Sequence, residues 1–439
     1  MATTPEMFEL LQIIKREPTI DKTTLGNLIG TSRTAVSRII GELENEHIIT
    51  TNSDGRMVLA DYGYTLGIAV GTRHIRAVLM DINNELVPLP TQERKGVFVS
   101  SRSRMIQDLL KKGKTKEEIE KINTTILFDL ESRSFEEYAQ FLNLLIEDAL
   151  DIIENEKAFR ILGIGIALQG SVNRKEQEIV FSPNVKALER RRVKELIYRN
   201  NLKQLKMYNI PIVVDNTAKA ALTAEREFLY RADDEEHSKL KNKPNVGLDY
   251  MGTGISFAST FDGNIVRGAS NYFGELGHIR FPRVGGEGEN HVVQCTCNKT
   301  NCLEALLREE VFQAHSLSQY WEVTHDISLK VFKSTHPDEY EKLKKYLGYI
   351  MNILVDMLNL DGLLFTGRLF ACIPDIENEL DTIMADNTNT ITCRDCIAMK
   401  GTDRTNTAAC GMAMEALALY FGTTDLSWPD IEKARNVSR

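Results

Sequence analysis

Three cysteines lie close together in this chain and constrain its folding more than any other feature. Cys295, Cys297 and Cys302 follow a C-x-C-x4-C spacing. Three thiolates and one imidazole form a closed tetrahedral Zn²⁺ site, with Zn–S distances of about 2.3 Å. A closed site leaves no open coordination position, so the spacing predicts a structural metal rather than a hydrolytic one. The alternative is a set of ordinary reduced cysteines.

Length and composition limit the remaining possibilities. A chain of 439 residues predicts two or three domains. No apolar run reaches about 18 residues and no leader follows Met1, so we expect neither a membrane span nor a signal peptide. The seven cysteines, mostly clustered, fit metal binding in a reducing cytoplasm better than disulfides. Because the net charge is -9, any DNA binding must be local.

Residues 1–60 predict a winged helix-turn-helix. Apolar residues recur at helical spacing in two segments before Gly30 and in a third from about Arg33 to Asn45. Ser32 is placed to cap the third helix. Two short apolar runs then flank a turn with an Asp-Gly pair, which predicts the wing.

The start of the third helix predicts the DNA contacts, because short polar groups and arginines there suit a major groove and its flanking phosphates. The alternative is a docking module that binds no DNA, since residues 1–60 as a whole carry six basic and eight acidic residues. The expected DNA-binding residues are Ser32, Arg33, Thr34, Ser37 and Arg38 in the helix, and Arg56 in the wing.

From residue 61 the pattern changes to strands that alternate with long helices, which predicts an α/β body. Residues of about 101–157 differ, being charged and helical with few turn signals. We interpret them as an insert.

The motifs of this body resemble those of the ROK family of repressors, open reading frames and sugar kinases, and specifically its repressor branch. The resemblance covers nearly the whole chain and implies an actin-like (ribonuclease H-like) fold of two lobes, with a sugar bound in the cleft between them. It rests on 163–167 with Gly170, 182–184, 215–216, 252–254, 274–278 (Gly-Glu-Leu-Gly-His), the cysteine cluster with 303–306, and Gly411.

The resemblance also implies a division of the chain. Lobe 1 is expected over residues 61–190. Lobe 2, with the zinc site and the sugar pocket, is expected over 191–404. A C-terminal helix at about 405–425 is expected to pack back on lobe 1.

The family pattern supplies His278 as the fourth metal ligand. One ring nitrogen would bind Zn²⁺ and the other would meet a sugar hydroxyl. The stretch between His278 and Cys295 is longer than the family usually has, and it contains His291, a rival ligand. The sugar-binding residues that the resemblance implies are Gly170, Asn184, Asn216, Glu275, His278 and Glu304, although Glu304 could serve only as a cap or in a salt bridge.

Two kinase positions lack their carboxylates. Family kinases take the hydroxyl proton with an aspartate directly after the Asn, where this chain has Thr217. They carry a second aspartate near the phosphates, where this chain has Ala69. A threonine hydroxyl is no base near neutral pH, and losing the base alone costs roughly 10²–10⁴-fold. We therefore expect no kinase activity.

Three functions remain open. The first is a sugar-responsive transcriptional regulator, a repressor, whose ligand changes lobe closure and the spacing of two DNA-binding heads in a homodimer or tetramer. The second is a sugar kinase with a vestigial head. The third is a protein that senses a partner protein without free sugar. Because Thr217 removes a carboxylate, the ligand could be a pentose, a phosphorylated sugar or an oligosaccharide fragment.

Overall fold

The computed structural model describes residues 4–54, 56–71, 75–87, 134–155, 160–232, 234–252, 254–284, 292–313, 328–389, 391, 396–402, 406–423, 426 and 428. The chain forms two compact units. The first is Met1–Arg231 with Thr405–Arg439, and the second is Ala232–Arg404. His291 and most of the predicted insert (residues 101–133 and 156–157) lie outside the described residues.

The first unit begins with the predicted winged helix-turn-helix. Side chains of Thr4, Asp21 and Ser32 accept hydrogen bonds from backbone amides and cap the three helices. The two strands pair antiparallel and form the wing. The elements are α1 (Pro5–Arg16), α2 (Lys22–Leu28), α3 (Arg33–Asn45), β1 (Ile49–Thr51) and β2 (Met57–Leu59).

Helix α1 is buried on two faces. Met7, Leu10, Leu11 and Ile14 form the predicted stripe. Phe8, Gln12 and Ile13 are also buried. For Phe8, one cause is a contact with the C-terminal part of the first unit, since the rings of Phe8 and Phe421 lie 5.9 Å apart.

The body of the first unit is a mixed sheet of order β4-β3-β5-β9, in which β3, β5 and β9 are parallel and β4 is antiparallel. A smaller antiparallel sheet has the order β6-β7-β8. The elements are β3 (Tyr64–Val70), β4 (Ile75–Asp81), α4 (Phe135–Asn155), β5 (Ile161–Leu168), β6 (Ser171–Asn173), β7 (Glu178–Phe181), β8 (Arg191–Arg192), α5 (Val193–Leu196), α6 (Arg199–Met207), β9 (Ile212–Asn216), α7 (Thr217–Tyr230) and the C-terminal helix (Thr407–Tyr420).

Residues 191–231 belong to this first unit, which corrects the predicted start of lobe 2 at residue 191. The physical reason is pairing: β9 hydrogen-bonds to β5 inside the first sheet. Helix α7 then packs against the C-terminal helix, in contact with Gly411.

Glycines allow the C-terminal helix to lie directly on the sheet. A Cβ atom on Gly67 of β3 would be 1.8 Å from the carbonyl oxygen of Ala409. One on Gly165 of β5 would be 2.0 Å from that of Met412. No side chain fits at such distances, so these glycines permit close packing of helix on strand.

The second unit is built on a five-stranded sheet of order β12-β11-β10-β13-β14, with β10, β13 and β14 parallel. Its helices cover a large apolar core. The elements are α8 (Glu235–Ser238), β10 (Val246–Met251), β11 (Ile255–Phe261), β12 (Asn264–Ile265), α9 (Leu303–Leu307), α10 (Leu329–Thr335), α11 (Pro337–Leu358), β13 (Gly362–Thr366), α12 (Arg368–Cys372), α13 (Leu380–Asn387) and β14 (Ile397–Lys400). Among the described residues, no helix combines the length and apolar character that a membrane span requires.

Candidate functional site

Four side chains of the second unit converge on one point. The Nδ1 atom of His278 and the Sγ atoms of Cys295, Cys297 and Cys302 offer one ligand atom each, and all four groups lie within 4.8 Å of one another. His278 closes a 3-10 turn, Leu276–His278. Cys302 immediately precedes α9. The structure therefore brings His278 together with the three cysteines, and these four residues can hold a metal ion.

The spacing within this cluster fits a tetrahedral metal. Cys295 Sγ lies 3.6 Å from His278 Nδ1, and Cys297 Sγ lies 3.6 Å from Cys302 Sγ. With metal–ligand bonds of about 2.0–2.3 Å, neighbouring ligand atoms of a tetrahedron are roughly 3.5–3.8 Å apart. The donor set is the kind that Zn²⁺ prefers, and these two distances match the edges of a tetrahedral site.

Backbone hydrogen bonds position these ligands. The amide of Phe281 donates to the carbonyl of Asn301 at 2.9 Å, and the amide of Leu303 donates to that of Ile279 at 3.0 Å. Burial raises the pKa of the Cys302 thiol to about 12, with the neighbouring thiols adding to the shift. Without a cation, the raised pKa favours the protonated thiol. A bound metal cation would favour the thiolate instead, because it binds the deprotonated sulfur.

In the first unit, Asn216 holds the corner between β9 and α7. Its Oδ1 caps α7 by accepting from the amide of Ala218 at 2.8 Å, and its Nδ2 donates to the carbonyl of Gly170 at 2.8 Å. Gly170 has a φ of 94°, and a Cβ there would lie 2.1 Å from the carbonyl oxygen of Phe181. Gly170 and Asn216 are thereby brought together. Asn184 is half-buried in the loop after β7.

The carboxylate of Asp215 is committed to the interior. It is fully buried, and its Oδ2 lies 3.3 Å from Arg174 Nη1. Arg174 Nη2 lies 2.8 Å from Glu415 Oε2 on the C-terminal helix. Buried charges are retained when they are paired. This network accounts for the burial of the Asp215 carboxylate.

The two kinase positions carry no charge. Thr217 is the first residue of α7, and its hydroxyl is buried with no hydrogen-bond partner in the described part of the chain. Ala69 lies in β3 and packs against an apolar cluster that includes Cys410 and Ala413. A carboxylate at residue 69 would therefore need polar partners that this cluster lacks.

In the second unit, Glu275 directly precedes the turn that ends at His278. The backbone amide of His278 donates a hydrogen bond to the carbonyl of Glu275 at 3.1 Å. Residues three apart eclipse in a 3-10 turn, so both side chains lie on one side of it. The carboxylate of Glu304 accepts from the Ile255 amide at 3.2 Å and from Arg308 at 3.0 Å. These contacts match the cap and the salt bridge that the sequence left open as alternatives, and Glu304 lies in the first turn of α9, two residues after Cys302.

The predicted DNA-reading residues are exposed at the start of α3 and in the wing. Ser32 Oγ accepts from the Ala35 amide at 3.2 Å, so it serves first as the helix cap. Arg38 forms an exposed ion pair with Glu42. Asn52 fixes the wing by accepting from the amide of Arg56 at 2.9 Å. Arg33, Thr34 and Ser37 remain the exposed polar face of α3.

Comparison with known proteins now decides the classification. A family model described as ROK family matches residues 110–418. The chain belongs to the ROK family. It is 23% identical over 311 residues to a xylose repressor of Bacillus subtilis (strain 168), and this match covers 69% of the chain and 65% of the repressor.

Two solved structures share the fold. One is a ROK family transcriptional regulator described as a homolog of E. coli MLC protein (TM-score 0.64, 18% identity, 95% of this chain and 96% of that chain). The other is a ROK hexokinase from Thermus thermophilus (TM-score 0.52, 17% identity, 80% of this chain and 97% of that chain). These likenesses confirm the predicted ROK fold with its preceding head.

Several residues of the first unit went unnoticed in the sequence. Arg174 and Glu415 support the Asn216 corner but come from distant segments, and neither belongs to a motif. Arg16 and Glu227 form a buried ion pair at 3.3 Å across 211 positions. A charged pair at the end of α1 is typical of a solvated helix end, so only the packing reveals their role.

Proposed function

We propose that this ROK protein is a sugar-responsive transcriptional regulator, a repressor, and that it lacks kinase activity. One observation supports the proposal most: a winged helix-turn-helix with an exposed polar reading face precedes a ROK fold. Thr217 and Ala69 stand where the family resemblance implies the two kinase carboxylates. The relative from Bacillus subtilis is itself named a repressor.

A pentose is the first candidate for the effector. The matched relatives include xylose repressors from several bacteria. The proposed contacts in the first unit are Gly170, Asn184 and Asn216, and those in the second are Glu275, His278 and Glu304. Carboxylates accept hydrogen bonds from vicinal hydroxyls in pairs, and an amide can both donate and accept. A hexose remains an outcome of the test.

The proposed metal is a structural Zn²⁺ held by His278, Cys295, Cys297 and Cys302. Bound there, it would stabilise the loop before α9 and fix the imidazole through Nδ1. The other ring nitrogen, Nε2, would then carry the proton and donate to an effector hydroxyl. Glu275, three residues earlier, would accept from the neighbouring hydroxyl.

The proposed DNA contacts are Ser32, Arg33, Thr34, Ser37, Arg38 and Arg56. A homodimer or tetramer would present two heads to half-sites about 34–36 Å apart or multiples of that distance. The effector must bind two states of the protein unequally, or it cannot change DNA affinity.

A thermal-shift screen over pentoses, hexoses and sugar phosphates tests the effector, since a ligand that binds only the folded state raises the melting temperature. D-Xylose is expected to raise it. A coupled ATP assay on the same sugars is expected to show no turnover. Turnover on the scale of about 1 s⁻¹ would instead establish a kinase.

A further inference from the structure

A buried cluster of charges joins the DNA-binding head to the body of the first unit. We call it the junction cluster, and it consists of Lys15 and Arg16 of α1, Glu227 of α7, and Arg231. Glu227 Oε2 lies 3.3 Å from Arg16 Nη2, and its Oε1 lies 3.2 Å from Arg231 Nε and 3.9 Å from Lys15 Nζ. The side chains of Arg16 and Glu227 are 1% and 2% exposed.

Three basic side chains therefore converge on one carboxylate, and Arg231 also pairs with Glu85. Burial alone would raise the pKa of Glu227, but the surrounding positive charges outweigh burial and lower that pKa to about 2. Removing one partner of a buried pair leaves an uncompensated charge and is strongly destabilising. The junction cluster is thus sensitive to any movement of Glu227 relative to α1.

Aromatic rings hold the Arg16 guanidinium in place. Its central carbon lies 5.0 Å from the ring centre of Tyr230 and 5.7 Å from that of Trp428. Trp428 is 3% exposed and also lies 5.8 Å from Arg226. Cation–π contacts of this kind favour one orientation of the guanidinium. They bring the C-terminal segment into the same junction.

Helix α7 connects this junction to the predicted effector corner. Asn216 caps its first turn and binds Gly170, and Glu227 stands in its last turn. The helix has 14 residues, so it spans about 21 Å. Every residue from Ala218 to Tyr230 is buried. A short helix packed on all sides moves as one body, so a shift at Asn216 displaces Glu227.

We propose that Glu227 is a positioning residue for DNA recognition, through which α7 transmits the state of the Asn216 corner to the head. This inference rests on the proposed function, because it requires an effector at Asn216 and DNA at α3. The Glu227–Arg16 pair fixes the angle of the head on the body. An effector that moves the start of α7 changes that angle and hence the fit of α3 to DNA.

The test uses Glu227→Gln in the full chain, which keeps the side-chain size and removes the charge. The matched control is Glu195→Gln, since Glu195 is 43% exposed and lies 3.8 Å from Arg191 in the same unit. DNA affinity is measured by fluorescence anisotropy on a duplex selected from a random library by the wild-type protein. The added sugars are D-xylose, L-arabinose, D-glucose and N-acetyl-D-glucosamine.

With the active sugar, wild type and Glu195→Gln are expected to change DNA affinity by about fivefold or more. In Glu227→Gln the change is expected to fall below about twofold, while the thermal shift on sugar binding persists. Should Glu227→Gln fail to fold, Arg16→Lys takes its place in the test. This variant keeps the charge but loses the planar guanidinium contacts, and it is expected to show the same loss of the sugar response.

Trp428 supplies a second readout. The chain has two tryptophans, so Trp321→Phe leaves Trp428 as the single tryptophan, whose emission is excited selectively. Sugar is expected to alter its emission, and Glu227→Gln is expected to abolish that alteration. Equal sugar responses in Glu227→Gln and wild type would overturn this inference and leave the proposed function standing. A wild type that binds neither sugar nor DNA would overturn both.

Discussion

His278 Nδ1 lies 3.6 Å from Cys295 Sγ, although the two residues are 17 positions apart. The turn at Leu276–His278 and the bridge between Arg280 and Cys302 bring them together. This separation matches the edge of a tetrahedral metal site, so His278 would connect the proposed metal centre to the proposed effector contact at Glu275.

Cys297→Ser is expected to lower bound zinc from about one ion per chain to near zero, since a hydroxyl replaces a thiolate ligand. The second unit should then unfold at a lower temperature. Zinc is measured by atomic emission after gel filtration. Cys372→Ser is the control, because Cys372 is buried in the same core but outside the cluster. An unchanged zinc content in Cys297→Ser would refute the metal assignment.

Arg33→Ala is expected to weaken DNA binding roughly tenfold. If Arg33 contacts a phosphate, the slope of log affinity against log salt concentration should also fall by about one. Zinc content and the sugar-induced thermal shift should not change. Lys206→Ala removes the same charge from exposed helix α6 and serves as the control. Equal DNA affinities in both variants would contradict the placement of the reading helix.

Lys15→Met is expected to remove a pH dependence of stability. Burial lowers the pKa of Lys15 from 10.5 to about 7, while Glu227 partly opposes this shift. Between these values the unfolded chain binds the proton and the folded chain does not, so stability rises with pH by up to about 1.4 kcal/mol per unit.

Urea unfolding at pH values from 7 to 10 compares the two proteins. Wild type should gain stability relative to Lys15→Met across this range. The variant should be at least as stable at pH 7, because Lys15 Nζ has no hydrogen-bond partner among the described residues. A parallel pH dependence in both proteins would contradict the burial of this ammonium group.

Gly165→Ala is expected to destabilise the first unit by about 1–3 kcal/mol, because a Cβ there would lie 2.0 Å from the carbonyl oxygen of Met412. Gly41→Ala is the matched control. A Cβ at Gly41, within α3, meets nothing within 4 Å, so helix propensity should stabilise by about 0.5–1 kcal/mol. Chemical denaturation measures both, and equal effects would contradict the close approach of helix and strand.

The sequence predicted the elements whose signals are local. The cap at Ser32, the apolar stripe of α3 and the Asp-Gly turn each depend on neighbouring residues, and the winged helix-turn-helix could therefore be predicted from pattern alone. The cysteine spacing likewise restricts the metal centre, because Cys295, Cys297 and Cys302 lie in one short loop.

The packing of distant segments could not be predicted in this way. Phe8 packs against Phe421, which directly follows the C-terminal helix and is distant along the chain. The boundary at residue 191 was misplaced because strand order in a sheet depends on long-range pairing, here of β9 with β5. The ion pair between Asp215 and Arg174 likewise joins residues that are distant in the sequence, so no local pattern predicts it.

We propose that sugar binding to the ROK fold of this protein changes the DNA affinity of its N-terminal head. Fluorescence anisotropy of wild-type protein on its selected duplex, titrated with D-xylose in the presence of ATP and Mg²⁺, tests it most directly. We expect a saturable change in DNA affinity of about fivefold or more with no ADP formed. Stoichiometric ADP formation with an unchanged DNA affinity would contradict it.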